Sequence, residues 1–367
     1  MRTILVVQPV LPDYRIQFFN LLHRELGDKL QLVVLEEAYE TGVRSVSDTG
    51  LPVRFSKYRW LCGKRLLWHH DVVGQATQAD GVVMPLNPRM LDVWYVLLHR
   101  SIRRKPIVLW GHMSSRSGEA RFSAWLRSIM FRLASAILLY TETECASAVK
   151  RFPRKKILSM RNALYRKDQL TVLEPQNPPV DLIYVGRLVP EKKPLFLIRA
   201  FAAALQRLPD DAQLHIVGDG GQRRACEGLV EELGVTDRVI LHGHQADVDE
   251  LRTLYSKALF SISPGYVGLS LTQSLGFGVP MLVSDNEPHS PEIEALREGE
   301  NAMYFTSDDQ HDFVETLLAC FEQAHKWIAL RETISEDCKN RYSVEAMVDA
   351  MLEALGSPCH HDAKESE

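Results

Sequence analysis

The chain has 367 residues, 46% of them hydrophobic, which is enough for two domains with sizeable cores and too apolar for wholesale disorder. No segment approaches ~18 unbroken apolar residues, which excludes a membrane-spanning helix, and none of the six cysteines falls in a Cys-x-x-Cys pair, which argues for a reducing cytoplasm and against a zinc or disulfide framework. The net charge of −4 conceals a split: residues 1–168 hold 27 Lys and Arg against 14 Asp and Glu (+13), and residues 169–367 hold 16 against 33 (−17), so an anionic partner is expected at the first half.

The opening run Met-Arg-Thr-Ile-Leu-Val-Val-Gln-Pro (1–9) carries one charge and stops at Pro9, so it reads as a strand and not as a secretion signal. Further strands are predicted at 31–35, 81–85, 106–110, 136–140 and 156–160, with helical spacing between them, as at Ile16, Phe19, Leu22 and Leu26. Arg15 falls in the first strand–helix loop, and Arg89, after Asn87-Pro88, in an equivalent one. Both are candidates for contact with an acceptor or a diphosphate. His112 follows the apolar run 107–110 and should emerge at a strand's carboxyl end, on the acceptor side.

Two stretches account for the cationic half. Residues 54–68 mix Arg and Lys with Phe, Tyr and Trp, and residues 121–133 form a helix with Phe122, Trp125, Leu126, Ile129 and Leu133 on one face. Such segments suit an anionic membrane surface; a core-packed helix with solvated arginines is the competing reading. Nucleic acid is a poorer partner, because no recognised binding motif is present.

Three prolines between Leu173 and Val180 mark a stiff break. Strands then recur at 181–185, 213–217, 238–241, 258–262, 280–283 and 302–305, with helices starting near Pro194, Gly221, Asp247 and Leu271. This alternation predicts parallel sheets covered on both faces, and so two doubly wound α/β domains with a cleft between them. The expected boundaries are a first domain at 1–168, a linker at 169–180 and a second domain at 181–342. A last helix at 343–356, with Ser343 as a candidate N-cap, packs back on the first domain, and 357–367 is a polar tail. Cys359-His360-His361 in that tail reads as solvated chain, not as a metal site.

The second domain carries the sharper chemistry. Gly186 and Arg187 follow a buried strand, and Lys192 comes within a turn or so. Downstream, Gly265, Gly268, Leu269 and Ser270 form a glycine loop that runs into a helix. A cation pair and a helix N-terminus at the carboxyl ends of strands are equipment for holding a diphosphate. Gln273, one turn into the helix, is placed for a ribose hydroxyl. Gly276, Gly278 and Pro280 read as tight helix–strand packing.

On these residues the second half resembles the donor-binding domain of glycosyltransferase family 4, a family of GT-B fold. The matching segments are Val-Gly-Arg-Leu-Val-Pro-Glu-Lys (185–192), Val-Gly-Asp-Gly (217–220), Leu-Gly-Phe-Gly-Val-Pro (275–280) and Pro-Glu-Ile (291–293). Trp110-Gly111-His112 and Arg161-Asn162-Ala163 resemble the family's first domain more weakly. The chain departs from the pattern at two positions. Members carry two glutamates separated by seven residues, and Gly265 and Gln273 stand there instead. Glu287 and Glu292 are the nearest alternative carboxylates.

The resemblance implies GT-B architecture, two Rossmann-like domains facing across a cleft. It implies a metal-independent, retaining transferase that uses a nucleotide sugar as co-substrate and no cofactor. Arg187, Lys192 and His112 would be its catalytic groups. The acceptor would be a growing surface glycan, such as one on a lipid diphosphate carrier, and the enzyme would work in the cytoplasm, peripheral to the inner face of the membrane. Two alternatives stand beside this reading: a binding or scaffold subunit that lost catalysis with its glutamates, and a sugar-nucleotide epimerase of the same fold.

Overall fold

A computed structural model of the chain describes residues 3–35, 50–113, 121–174 and 177–356. They divide into two compact units, one of residues up to Ala163 together with those from Val344 onward, the other Leu164–Ser343.

In the first unit the elements in chain order are β1 (Ile4–Gln8), α1 (Ile16–Leu26), β2 (Leu30–Leu35), β3 (Val53–Ser56), β4 (Tyr58–Leu61), β5 (Leu66–His69), α2 (Val72–Gln78), β6 (Gly81–Pro85), α3 (Leu91–Ile102), β7 (Ile107–Gly111), α4 (Arg121–Leu133), β8 (Ala136–Leu139), α5 (Glu142–Arg151) and β9 (Lys156–Ser159). Seven strands form one sheet in the order β3-β2-β1-β6-β7-β8-β9, every pairing parallel. Alternate residues of β1 serve opposite layers: Ile4 and Val6 pack with α1, Leu5 and Val7 with α2 and α3. This two-sided burial explains why the strands read as continuous apolar runs.

The segment 54–68, to which the sequence reading assigned no element, is built of short strands. Val53–Ser56 adds an edge strand to the sheet, with Val53 opposite Leu32, and β4 and β5 form an antiparallel hairpin outside it. Cys62, Gly63 and Lys64 turn the hairpin with φ of 50°, 64° and 64°. The alternation of basic and aromatic residues here is the period of strands.

The second unit contains β10 (Asp181–Val185), α6 (Pro194–Ala204), β11 (Leu214–Val217), α7 (Arg223–Glu232), β12 (Val239–Gly243), α8 (Val248–Lys257), β13 (Ala258–Ser263), α9 (Ser270–Gly276), β14 (Met281–Ser284), β15 (Ala302–Phe305), α10 (Gln310–Glu322), α11 (Ala324–Ala329) and α12 (Arg331–Tyr342). Its six parallel strands run β12-β11-β10-β13-β14-β15. The order reverses between β10 and β13, and a doubly wound sheet offers its ligand crevice at such a point.

The expected junction moves. Residues 164–180, read as the end of the first domain and a linker, go with the second unit. Leu170 is 1% exposed and sits where a Cβ on Gly276 would come within 2.3 Å of it, and the Tyr165 ring lies 5.7 Å from that of Phe277. These apolar anchors hold the segment to the second unit's core. After α12, Ser343 is extended (φ −86°, ψ 159°), and α13 (Val344–Leu355) joins the first unit, burying Val348, Met351 and Leu352 in the α1 layer. Cys359, His360 and His361 lie outside the described residues.

Candidate functional site

In the second unit the site is built where β10 and β13 end. Gly186 follows β10 and donates its N–H to Val217 O at 2.9 Å. The Val217–Gly220 turn closes tightly over it. A Cβ on Gly218 would lie 1.9 Å from Gly186 O, and one on Gly220 would lie 2.5 Å from Leu188 O; both glycines have positive φ. No other residue type fits that turn without moving the backbone.

Arg187 is therefore presented by a rigid frame. Its carbonyl accepts from Tyr184 Oη (2.9 Å), while its side chain is exposed and has no carboxylate partner among the described residues. Lys192 closes the 3-10 turn Pro190–Lys192 and donates to Tyr266 O at 2.5 Å, with Nζ 4.5 Å from the Tyr266 ring centroid. Burial, and secondly the charge of Arg187, push its pKa down to about 8. Two neighbouring cations, neither ion-paired with a carboxylate among the described residues, make a site that gains from an anion.

The glycine loop after β13 is tied to that turn. Tyr266 N–H donates to Glu191 O at 3.0 Å, and Ser290 N–H donates to Val267 O at 2.9 Å. His289 completes the frame: its Nδ1 accepts from Val267 N–H (3.2 Å) and its Nε2 donates to Ser284 O (3.0 Å). With both nitrogens committed and the ring partly buried, its pKa is lowered, chiefly by desolvation. Gly268, Leu269 and Ser270 then lead into α9, which no side chain caps; Leu271 N–H donates to Gly268 O at 3.0 Å.

The missing carboxylates acquire a physical account. A Cβ on Gly265 would stand 2.4 Å from Glu191 O, so the close approach of the 190–192 turn leaves no room for any side chain at that position. Gln273 is 5% exposed, and its Nε2 donates to Tyr165 Oη at 2.9 Å, so its amide is turned to the 164–180 segment instead of standing open for a ribose. Neither alternative carboxylate is open to solvent. Glu287 pairs with Lys193 at 2.5 Å, and Glu292 is 5% exposed within the turn Pro291–Ala295. Gly278, with φ +75° and Arg331 O 2.6 Å from a built Cβ, is a packing residue, as is Gly276.

In the first unit the three candidates part ways. His112 follows β7, half-buried, with its ring 4.5 Å from that of Tyr140 and its Nδ1 3.5 Å from Glu144 Oε2. Glu144 also accepts from Met113 N–H at 2.8 Å. That approach places a carboxylate beside Nδ1 of the imidazole. Sequence reasoning missed Glu144, yet its signal was there: Thr141-x-x-Glu144 is a capping box after a strand, and Thr141 Oγ1 does accept from Glu144 N–H at 3.0 Å. A cavity of about 210 Å³ beside it is lined by Met113, Arg127, Ser128, Glu144, Arg151 and Phe152.

Arg15 is enclosed by groups of its own unit, whereas Arg89 is exposed, with part of its guanidinium bonded to the hairpin turn. Arg15 is buried, donating to Gln8 Oε1 (2.9 Å), Tyr140 Oη (2.9 Å) and Asn162 Oδ1 (3.3 Å), with its guanidinium 4.5 Å from the Trp110 ring centroid. It ties the ends of β1, β7 and β8 together. Arg89 donates to Arg65 O (3.1 Å) and Lys64 O (2.6 Å) and lies 5.1 Å from the Trp60 ring, so it braces the hairpin turn. Both loops are where the sequence put them; the side chains satisfy carbonyls and rings of their own unit.

Residues 166–341 match the family described as Glycosyl transferases group 1. Over most of its length the chain is similar to the lipopolysaccharide core biosynthesis glycosyltransferase LpsE of Rhizobium meliloti, at 28% identity across 79% of this chain and 87% of that protein. The lipopolysaccharide 1,6-galactosyltransferase of Salmonella typhimurium is also 28% identical, over 39% of this chain and 41% of its own length. Among solved structures, Anabaena Alr3699/HepE in complex with UDP superposes with a TM-score of 0.69 at 15% identity, covering 97% of this chain and all (100%) of that one. The lipopolysaccharide outer core galactosyltransferase WaaB gives a TM-score of 0.66 at 16% identity, covering 97% and 99%. These likenesses agree with the two parallel-sheet units in assigning the GT-B fold.

Proposed function

We propose that this chain, whose residues 166–341 match the glycosyl transferases group 1 family, is a glycosyltransferase that moves a sugar from a nucleotide-sugar donor to a hydroxyl of a growing surface glycan. The observation that carries the donor half is the cation pair at the switch point: exposed Arg187 beside Lys192, neither ion-paired with a carboxylate among the described residues. A diphosphate there would relieve their repulsion. The leaving nucleotide gains charge as the glycosidic bond breaks, so both cations bind the transition state more tightly than the donor itself. The amides at the start of α9 would take further phosphate oxygens.

His112, with Glu144 beside its Nδ1 and its ring near Tyr140, is the proposed acceptor-side group, holding the attacking hydroxyl through Nε2. The resemblance to family 4 supports retention of anomeric configuration and independence of metal. The proposed acceptor is a glycan on a lipid diphosphate carrier, and the proposed place of work is the inner face of a cytoplasmic membrane, which suits a first half of net charge +13.

A thermal-shift panel of UDP-, GDP-, dTDP- and CDP-sugars, with wild type beside Arg187→Ala, tests the reading. A donor at 100 times its Kd stabilises by about 2.7 kcal/mol, and the shift should vanish in the variant. Turnover in Arg187→Ala should fall roughly ten- to a thousandfold, the worth of one charged phosphate contact. Undiminished turnover would remove Arg187 from the diphosphate site. Binding of a donor without transfer to any glycan or lipid-linked acceptor would favour a scaffold subunit that lost catalysis.

A further inference from the structure

The structure assigns the outer face of α3 and α4 as a docking surface for an anionic lipid bilayer. Large apolar side chains collect there. Tyr95, Leu98 and Ile102 on α3 are 50%, 51% and 82% exposed, and Phe122 and Trp125 on α4 are 67% and 55% exposed. The spacing i, i+3, i+7 makes the α3 group a single stripe, and the two aromatics of α4 stack at 5.8 Å. The two helices pack against each other. The core takes the opposite face of α4, through Ser128, Met130 and Phe131. Of the apolar face read from the sequence, Phe122 and Trp125 are turned outward, whereas Leu126 and Ile129 are half-buried and Leu133 packs against the core.

Charge decides what covers it. Exposed Arg103 and Arg104 follow Ile102 directly, and Arg132 is exposed on α4. At the other end of α3 the hairpin presents Arg59, Lys64 and Arg65; it is joined to that end by the Leu67–Met90 bridge. Across 53–70, 91–105 and 121–133 a single carboxylate occurs, Asp92, and it is fully buried 2.6 Å from His69 Nδ1. An apolar stripe with tryptophan and tyrosine, ringed by cations and free of exposed acid, matches a bilayer interface with anionic headgroups. A second copy of the chain is disfavoured, because a two-fold contact would bring two such cationic rims together with no exposed carboxylate on α3, α4 or the hairpin to pair with them. The inference rests on the lipid-linked reading of the acceptor, and the test separates the two.

The full chain is sedimented with phosphatidylcholine vesicles, with and without phosphatidylglycerol. Wild type should pellet with the anionic vesicles and stay in solution with the neutral ones. The exposed-site variant Leu98→Glu/Ile102→Glu should lose roughly tenfold or more in vesicle binding, and Arg103→Glu/Arg104→Glu should lose binding to the anionic vesicles. Both should keep the donor-induced thermal shift of wild type, which shows that they are folded. Equal recovery of wild type in both supernatants, or variants that pellet like wild type, overturns the docking surface. So does a dimer in light scattering that the Leu98→Glu/Ile102→Glu change dissolves, because a second copy would then cover the face. Transfer to a detergent-solubilised lipid-linked glycan, with no vesicle binding, would overturn the surface and keep the acceptor; vesicle binding with no such transfer would do the reverse.

Discussion

Lys192 and Gly265 show how two neighbouring residues share one constraint. The turn that carries Lys192 lies so close to the glycine loop that its ammonium reaches Tyr266 O, and the same approach leaves no space at Gly265. Two outcomes follow. With a pKa of about 8, Lys192 is cationic at pH 7 and loses its proton as pH rises through 8, so donor affinity should fall between pH 7 and 9. Titration calorimetry checks this, and Lys192→Arg, which stays charged, should flatten the profile. The protein's own stability moves the other way. The folded pKa lies below that of a free lysine, so the unfolded chain binds more protons and this group's contribution rises with pH from about 8 to about 10.4. Secondly, Gly265→Glu should not repair the missing carboxylate. Its Cβ collides with backbone, so the loop must shift, and the expected result is weaker donor binding and a lower Tm, read by thermal shift.

At the scale of elements, α13 is the clearest case of a helix whose place in sequence misstates its place in the molecule. It follows the second unit in the chain and packs with α1 and the first sheet, where Val348 and Met351 are fully buried (0% exposed) and Met347 and Leu352 are 2% exposed. Ending the chain at Ser343 would expose those partners to water. Each large buried side chain stabilises by roughly 1.5–3 kcal/mol, so the loss exceeds the margin of an ordinary domain. The truncated protein is expected to be insoluble or to lose its thermal transition, as circular dichroism would report. The helix α4 carries the complementary lesson. Phe122 and Trp125 of its apolar stripe stand exposed, while Leu133 of the same stripe packs on the core that buries Met130 and Phe131, so amphipathicity alone names a face without naming what covers it.

For the whole molecule, the two units differ in connectivity: Leu164–Ser343 is one continuous piece, whereas the other unit needs both ends of the chain. The excised 164–343 fragment should therefore fold alone and bind the donor, with a shift lost in Arg187→Ala. A fragment that stays unfolded while the full chain binds donor would show that the unit depends on the rest of the protein. The strand–helix alternation, both parallel sheets and the Gly186–Arg187 strand end were legible in the sequence, because buried parallel strands and turn glycines carry local signatures. The residue patterns of the second half were also enough to suggest the transferase class. Only the tertiary structure decided which cations are buried: Arg15 is enclosed by its own unit, while Arg187 and Arg89 are exposed, Arg89 with hydrogen bonds to the hairpin turn. It also decided that Gln273 turns to Tyr165, that Glu144 stands beside His112, and that 164–180 belongs to the second unit. Those outcomes rest on contacts between residues far apart in the chain. A side chain's type and spacing state what it can bind, and only the folded neighbourhood determines whether a carbonyl, a ring or a ligand takes it.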